Sequence, residues 1–320
     1  MDDLSIIIVN WNTKAMLENC LMSIRQTTQR QAVKVIVVDN NSRDGSRDMV
    51  QTLFSEVLLI NSGGNIGFAR GNNVGISYAD TPFVLFLNPD TVVMENAIHH
   101  MIDFMKANPS VGALGCKMKY PDGTMQNLGL QWFPSPFTEL FNILFVSSET
   151  INRLRKVLPC KDPHTSGYVR ILAGGCLVVR REVLQSVGAF DERFFMYSED
   201  DDLCRRISEA DWKLYYLSEA EIIHLIAGAS GNSSNQFSTL MKCESVSKLM
   251  EKYYGKVGKL SYRFIIGTGS QARLLMLGTL KVLTLLRLVR IRKINFEVSS
   301  RKYLAMLRWS LGLERPVIKN

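Results

Sequence analysis

The stretch "LSIIIVN" (residues 4–10), answered by "VKVIVVDNNSRDGS" (residues 33–46), decides the fold. Leu4 to Asn10 is an unbroken apolar run, rich in β-branched residues, that stops on a polar residue. Such a run fits a strand covered on both faces, the habit of parallel sheets packed between helices. Val35 to Val38 repeats the pattern and stops at Asp39 in a polar turn. Between them, "TKAMLENCLMSIRQ" (13–26) places Met16/Leu17, Cys20/Leu21 and Ile24 at helical spacing, with Thr13 as the expected cap. "VLLINS" (57–62) and "FVLFLNPD" (83–90) read as two further strands, with "GGNIGFARGNNVGI" (63–76) between them. Strands alternating with helices predict an α/β chain with a mostly parallel, Rossmann-like central sheet and flanking helices. Ligands of such sheets sit outside the carboxyl ends of the strands, and here those ends read Asn10, Asp39 and Asn88-Pro89-Asp90.

Past residue 111 the pattern changes. "VGALGCKMKYPDG" (111–123) reads as a strand and turn, and 130–168 is irregular, with Pro134, Pro136, Pro159 and Pro163. "VRILAGGCLVVRREVLQSVGAFDE" (169–192) restores a strand, a helix and a glycine turn. In "SEDDDLCRRI" (198–207) four acids, Glu199 to Asp202, open a segment whose Leu203 and Ile207 have helical spacing. The positive end of a helix dipole tolerates carboxylates there, which explains the crowding but gives it no purpose. "KLYYL" (213–217) reads as the last strand and "AEIIHLIAGAS" (220–230) as a loop carrying His224.

Each acidic site has a plain alternative: a turn former at Asp39 and at Asn88–Asp90, a solvated acidic turn at 199–202, a structural histidine at 224. Taken together they offer oxygen ligands and one imidazole, a donor set that suits Mg²⁺ or Mn²⁺. Hydrophobic residues make up 46% of the 320 and charged ones 21%, so a packed chain is expected and disorder is excluded. The six cysteines, Cys20, Cys116, Cys160, Cys176, Cys204 and Cys243, form no CxxC pair and read as buried thiols of a reducing compartment. The sequence opens Met-Asp-Asp with no basic stretch, so a secretory signal is not expected and the chemistry is placed in the cytoplasm.

Six blocks in register carry a resemblance: "SIIIVNWN", "VVDNNSRDGS", "NIGFARGNNVGI", "LFLNPDTVV", "GGCLVVRREVLQSVGAFDERFFMYSEDDDLCRRI" and "IIH". In order and spacing they resemble family 2 glycosyltransferases of the GT-A fold, most of all the bacterial rhamnosyltransferase-like members that build polysaccharides and O-antigens. The resemblance implies a catalytic domain over residues 1–255 and inverting transfer of a sugar, rhamnose favoured, from a dTDP- or UDP-linked donor. The acceptor it implies is a glycan or a polyprenyl-diphosphate-linked lipid. Val9, Asn10 and Asn12 would line the base pocket, with Asp39 accepting the base N3–H. Asn65, Gly67 and Arg70 would approach the diphosphate, with Asn88 beside Asp90, and Asp90 and His224 would hold the divalent cation. Asp200 would be the general base, with Glu199 its neighbour and Asp202 a secondary candidate. Gly174 and Gly175 would admit the acceptor.

The chain departs from the family pattern twice. Asn88-Pro89-Asp90 stands where many relatives have DxD, which removes a charge from the metal motif. Asp201 fills a slot that is usually neutral. Two other readings remain: a catalytically silent nucleotide-sugar-binding or scaffold protein, and a nicotinamide-dependent dehydrogenase. The second is disfavoured because "NWNTKAML" (10–17) lacks the GxGxxG turn.

Charge divides the chain. Residues 271–320 hold eleven Lys/Arg and two Glu, a net +9 that exceeds the +8 of the whole, so 1–270 carry −1. Residues 256–320 are therefore expected to form a basic, amphipathic helical tail. Lys281 and Arg287 interrupt the leucine-rich stretch 263–294, which disfavours a spanning helix and favours one lying in an anionic membrane surface. A peripheral place on the cytoplasmic face of the inner membrane follows. A helical hairpin packed on the catalytic domain is the alternative. Nucleic acid is not expected as a partner, because no recognition motif accompanies the charge.

Overall fold

The computed structural model describes residues 3–28, 33–126, 131–144, 162–225, 236–286 and 295–318; Pro159, Cys160 and the basic run 287–294 lie outside them. Strand β1 (Leu4–Asn10) is buried at every position, because its two faces feed two different cores. Leu4, Ile6 and Ile8 enter one apolar cluster, Ile7 and Val9 the other, as the two-residue period of a strand requires. β2 (Val33–Asp39), β3 (Leu58–Asn61) and β4 (Phe83–Leu87) join it in parallel, in the order β3-β2-β1-β4. Helices α1 (Lys14–Thr27), α2 (Ser46–Leu53) and α3 (Phe68–Ile76) provide the crossovers.

The sheet continues through β8 (Cys176–Arg180), β6 (Val111–Lys119), β9 (Lys213–His224) and β5 (Thr91–Val93), with β7 (Gly167–Val169) paired to β9. β8 runs antiparallel to both β4 and β6. Helices α4 (Ala97–Ala107), α6 (Arg181–Val187) and α7 (Glu199–Glu209) accompany this half; α5 (Pro136–Leu144) belongs elsewhere. The architecture is α/β, a GT-A-like central sheet with flanking helices and a C-terminal helical region.

Several local expectations need correction. Thr13 takes the N-cap position of α1, but its side chain makes no capping bond: its hydroxyl donates to Asn10 Oδ1 at 2.6 Å, while Asp44 Oδ2 accepts the Lys14 amide at 2.7 Å. β9 does not end at residue 217: it runs unbroken to His224, which pairs with Thr91. The reason is that β5 supplies a partner for residues 222–224.

Contacts divide the chain into two compact units, but not at residue 255. The second unit comprises Pro134–Arg155 and Asn232–Ile318. The expected boundary falls inside α8 (Gln236–Leu285), at a kink where Gly255 has φ 65°. Position 255 tolerates this because glycine lacks a Cβ. The unit's core joins Leu240, Cys243, Met250, Tyr262 and Ile266 of α8 to Ala305 and Trp309 of α9 (Phe296–Ser310). Arg263 ties the pair by donating to Trp309 O at 2.7 Å and Ser310 O at 3.1 Å. α5 packs on α8 at Gly269, where a Cβ would lie 2.4 Å from Ile143 Cδ1. The five described cysteines are free and buried, and burial pushes the Cys20 thiol up to about 12, so it is held as an inert thiol.

Candidate functional site

The carboxyl ends of the parallel strands gather polar groups as the sequence leads one to expect. β1 and β2 set Asn10 beside Asp39, and Asn10 Nδ2 donates to Asp39 Oδ1 at 2.9 Å. The Ser42 amide donates to the other oxygen, Oδ2, at 2.9 Å. Ser42 Oγ in turn accepts from the Asn12 amide, and Asn12 Oδ1 accepts the Arg43 amide at 2.7 Å. Asn12 adopts φ 52°, a left-handed conformation that asparagine tolerates better than most residues. Asp39 is thereby oriented and wholly buried. Each oxygen retains acceptor capacity beyond its one bond. Val9 is buried as well, packed so closely on α3 that a Cβ on Gly71 would lie 2.7 Å from Val9 Cγ1.

A second group forms where β4, β8 and β9 meet. The Asn88 amide donates to Gly175 O at 3.0 Å. Asn88 Nδ2 and Asp90 Oδ1 each lie 3.3 Å from His224 Nε2. Gly175 leaves the space that the imidazole occupies, since a Cβ there would sit 3.3 Å from His224 Cε1. Beside it, the Gly174 amide donates to Asp200 Oδ2 at 2.8 Å. A continuous series of contacts thus joins Asp200 through Gly174, Gly175 and Asn88 to His224 and Asp90.

The acidic run opens α7, as expected from its sequence. Tyr197 and Ser198 precede it with φ 68° and 64°, consecutive left-handed residues that cost free energy and persist where surroundings over-determine them. Burial raises the Asp200 carboxyl above its ordinary range, against hydrogen bonds from the Gly174 and Asp201 amides that lower it. Burial, with Asp200 beside it, raises Glu199 well above its usual value; Glu199 Oε2 has no hydrogen-bond partner among the described residues.

Asp202 does not join them. It is 0% exposed, and its Oδ2 holds Arg206 Nε at 2.8 Å. Arg206 binds the carbonyls of Val187, Gly188 and Ala189. Its carboxylate is committed in this structure to an ion pair that anchors α7 to the turn after α6.

The "NIGFARGNN" loop closes the ring. Asn40 Nδ2 donates to Gly67 O at 3.0 Å, and the Phe68 amide donates to Phe195 O at 2.6 Å. Gly67 has φ 88°, and a Cβ there would lie 2.5 Å from Phe195 O, so glycine is required twice over. Asn65, partly exposed, lies on this loop. Arg70 is paired with Glu192 at 2.9 Å, both half exposed, rather than standing as an uncompensated cation. Asn73 brackets the same turn, accepting from the Phe190 amide at 3.0 Å and donating to Phe190 O at 2.9 Å.

For a divalent cation the structure brings together one carboxylate and one imidazole, from Asp90 and His224; the Asn88 atom that faces the imidazole is its amide nitrogen. Among the described residues no three His, Cys, Asp or Glu side chains form a ligand group. This donor set fits Mg²⁺ or Mn²⁺ when ligand oxygens complete the shell.

Sequence reading missed Ser42, Asn40, Asn73, Glu192 and Gln126. All but Gln126 lie inside the quoted blocks, but their partners become visible only when distant segments meet.

Comparison with known proteins converges on one family. The model of glycosyl transferase family 2 matches residues 5–188. An N-acetylglucosaminyl-diphospho-decaprenol L-rhamnosyltransferase of Mycobacterium tuberculosis is 30% identical, over 72% of this chain and 78% of its own length. The rhamnosyltransferase WbbL of Escherichia coli K12 is 27% identical, over 68% of this chain and 82% of its own. Among solved structures, the mannosyltransferase PcManGT from Pyrobaculum calidifontis, in complex with GDP-Man and Mn²⁺, superposes with a TM-score of 0.58. It covers 97% of this chain and 86% of its own at 14% identity, a likeness of fold.

Proposed function

We propose, from the premise that this chain belongs to glycosyl transferase family 2 and is a glycosyltransferase, that it moves rhamnose with inversion from a dTDP- or UDP-linked donor to a glycan or polyprenyl-diphosphate-linked acceptor in cell-surface polysaccharide synthesis. The observation that carries this reading is the chain of contacts from Asp200 through Gly174, Gly175, Asn88 and His224 to Asp90. It sets the Asp200 and Asp90 carboxylates at the ends of one short path.

In this reading Asp39, held by Asn10 and Ser42, accepts the N3–H of the base; an ionised acceptor strengthens that bond. Because Asp39 is wholly buried, donor binding opens the loop above it, and Val9, Asn12 and Asn65 line the pocket so formed. Gly67 lets backbone approach the diphosphate, and Arg70 reaches it by leaving Glu192. Asp90 and His224 would hold a divalent cation, with Asn88 beside them on the donor; bound there, the cation would supply Lewis-acid stabilisation of the departing diphosphate. Asp200 takes the proton from the acceptor hydroxyl as that oxygen attacks the anomeric carbon opposite the leaving group. Glu199 raises the proton affinity of its neighbour, and Gly174 and Gly175 leave room for the acceptor.

Asp200→Asn tests the assignment. A general base contributes about 10² to 10⁴ in rate, so turnover should fall by that range while nucleotide affinity stays within about twofold; near-wild-type turnover removes Asp200 from the role. With the Asp200 pKa raised, wild-type turnover should also decline as pH falls through that value, because the base must be ionised.

The basic tail supports a membrane surface as the place of work. α8 exposes Val257, Leu260, Phe264, Leu275 and Val282, residues that recur at helical spacing along about 40 Å of one side of the helix. No helix among the described residues is long and apolar enough to cross a membrane. An uncharged stripe with Lys256 and Lys281 on the same helix suits an anionic bilayer at the cytoplasmic face of the inner membrane. Sedimentation with vesicles containing phosphatidylglycerol should exceed that with phosphatidylcholine alone by about tenfold and fall with salt; equal recovery with both defeats the proposal.

A further inference from the structure

Gln126 meets His224 twice. Its Nε2 donates to the His224 backbone carbonyl at 2.9 Å, and its Oε1 lies 3.1 Å from His224 Nδ1. A carbonyl oxygen only accepts, so the first contact determines which end of the amide is nitrogen. The other end is therefore oxygen, and Nδ1 must carry the hydrogen. In the neutral ring Nε2 then bears a lone pair. That lone pair accepts from Asn88 Nδ2 at 3.3 Å, which agrees with the same tautomer, and it lies 3.3 Å from Oδ1 of the buried Asp90.

The clamp is itself held. The turn after β6 is closed by the Tyr120 amide on Thr124 O at 2.8 Å and the Gly123 amide on Tyr120 O at 2.9 Å. The Gln126 amide then returns to Met118 O at 2.9 Å. On the other side of the ring lies Gly175, where a Cβ would sit 3.3 Å from His224 Cε1.

We propose that Gln126 is a positioning residue that holds His224 in its Nδ1–H tautomer, so that Nε2 and Asp90 Oδ1 present paired acceptors to a divalent cation. The inference rests on the cation reading above and adds the residue that sets it up. An outer partner of this kind fixes ring orientation and ligand basicity.

The test is ¹⁵N-histidine NMR on the full chain. It has four histidines, so a His224→Asn variant assigns the signal, and Mn²⁺ titration with UDP present supplies the second readout. Wild type should show a pyrrole-type Nδ1 and a pyridine-type Nε2. Gln126→Leu should lose that tautomer preference and weaken Mn²⁺ binding by about 10- to 100-fold. Gln126→Glu, which still accepts from Nδ1, should keep the tautomer and bind Mn²⁺ within a few fold of wild type, a rescue that a purely structural role would not produce. A wild-type His224 in the Nε2–H or doubly protonated form, or a Gln126→Leu chain unchanged in both readouts, overturns the proposal. The expected tautomer without Mn²⁺ binding overturns the cation reading and this inference with it, and the tautomer signal tells the two failures apart.

Discussion

Asp202 and Asp39 of the sheet unit and Glu139 of the helical unit answer burial in opposite ways. Asp202, with no exposure at all, is matched by the Arg206 guanidinium at 2.8 Å, and Asp39 receives a side-chain amide and a backbone amide. Among the described residues Glu139 of α5 has one long side-chain hydrogen bond, from Asn142 at 3.4 Å, and burial pushes its carboxyl up to about 7. Where a strand end or helix start offers donors, a charge can be kept in the interior; where apolar helices surround it, the acid keeps its proton instead. The sheet unit thus holds Asp39 and Asp202 through donors, whereas its Glu199, like Glu139 of the helical unit, is pushed up by burial.

The largest effect expected from this contrast is at Asp202. Asp202→Ala leaves Arg206 buried without its partner and should destabilise the chain by about 3–5 kcal/mol, measured by denaturant unfolding. A loss below about 1 kcal/mol would erase the distinction drawn between Asp202 and Glu139.

Glu139 gives the next largest effect, with a defined sign. A carboxyl whose folded pKa is about 7 binds its proton more tightly folded than unfolded, so stability is greatest below its ordinary value of 4.5 and is lost as pH rises through 7. That shift corresponds to at most about 3 kcal/mol. Thermal melts at pH 5.5 and 8 should show wild type losing stability across the interval and Glu139→Gln losing much less. Identical pH dependence in the two chains would mean that burial of Glu139 does not set it.

The smallest effect is at Gly67. Gly67→Ala puts a Cβ into Phe195 O at a positive φ and should cost about 1–3 kcal/mol while separating the loop from the Phe195 turn, read as weaker nucleotide binding with the sheet intact. Unchanged binding would show that the two segments need not touch.

Much of the sheet unit was legible in the sequence, because buried parallel strands leave continuous apolar runs and their polar stops mark the ligand edge. Asn10, Asp39, Asp90 and the acidic start of α7 stand where those stops put them. The helical unit was legible only as basic and leucine-rich. Its boundary was misplaced because α5, more than ninety residues upstream of α8 in the chain, packs against it, and a helical period does not say which partner covers it.

Local composition alone determined the α/β order, the polar sheet edge and the asymmetry of charge, since each follows from side-chain period and residue type within a short window. Tertiary structure alone decided that Asp202 serves Arg206 while Asp200 faces Gly174, though the two acids are nearly adjacent. It also decided that Gln126 reads the two faces of His224 and that Arg70 meets Glu192. The physical reason is the same in each case: a side chain's hydrogen-bond partners come from whichever segments the fold brings within 3 Å or so, and sequence neighbours on a helix point in different directions.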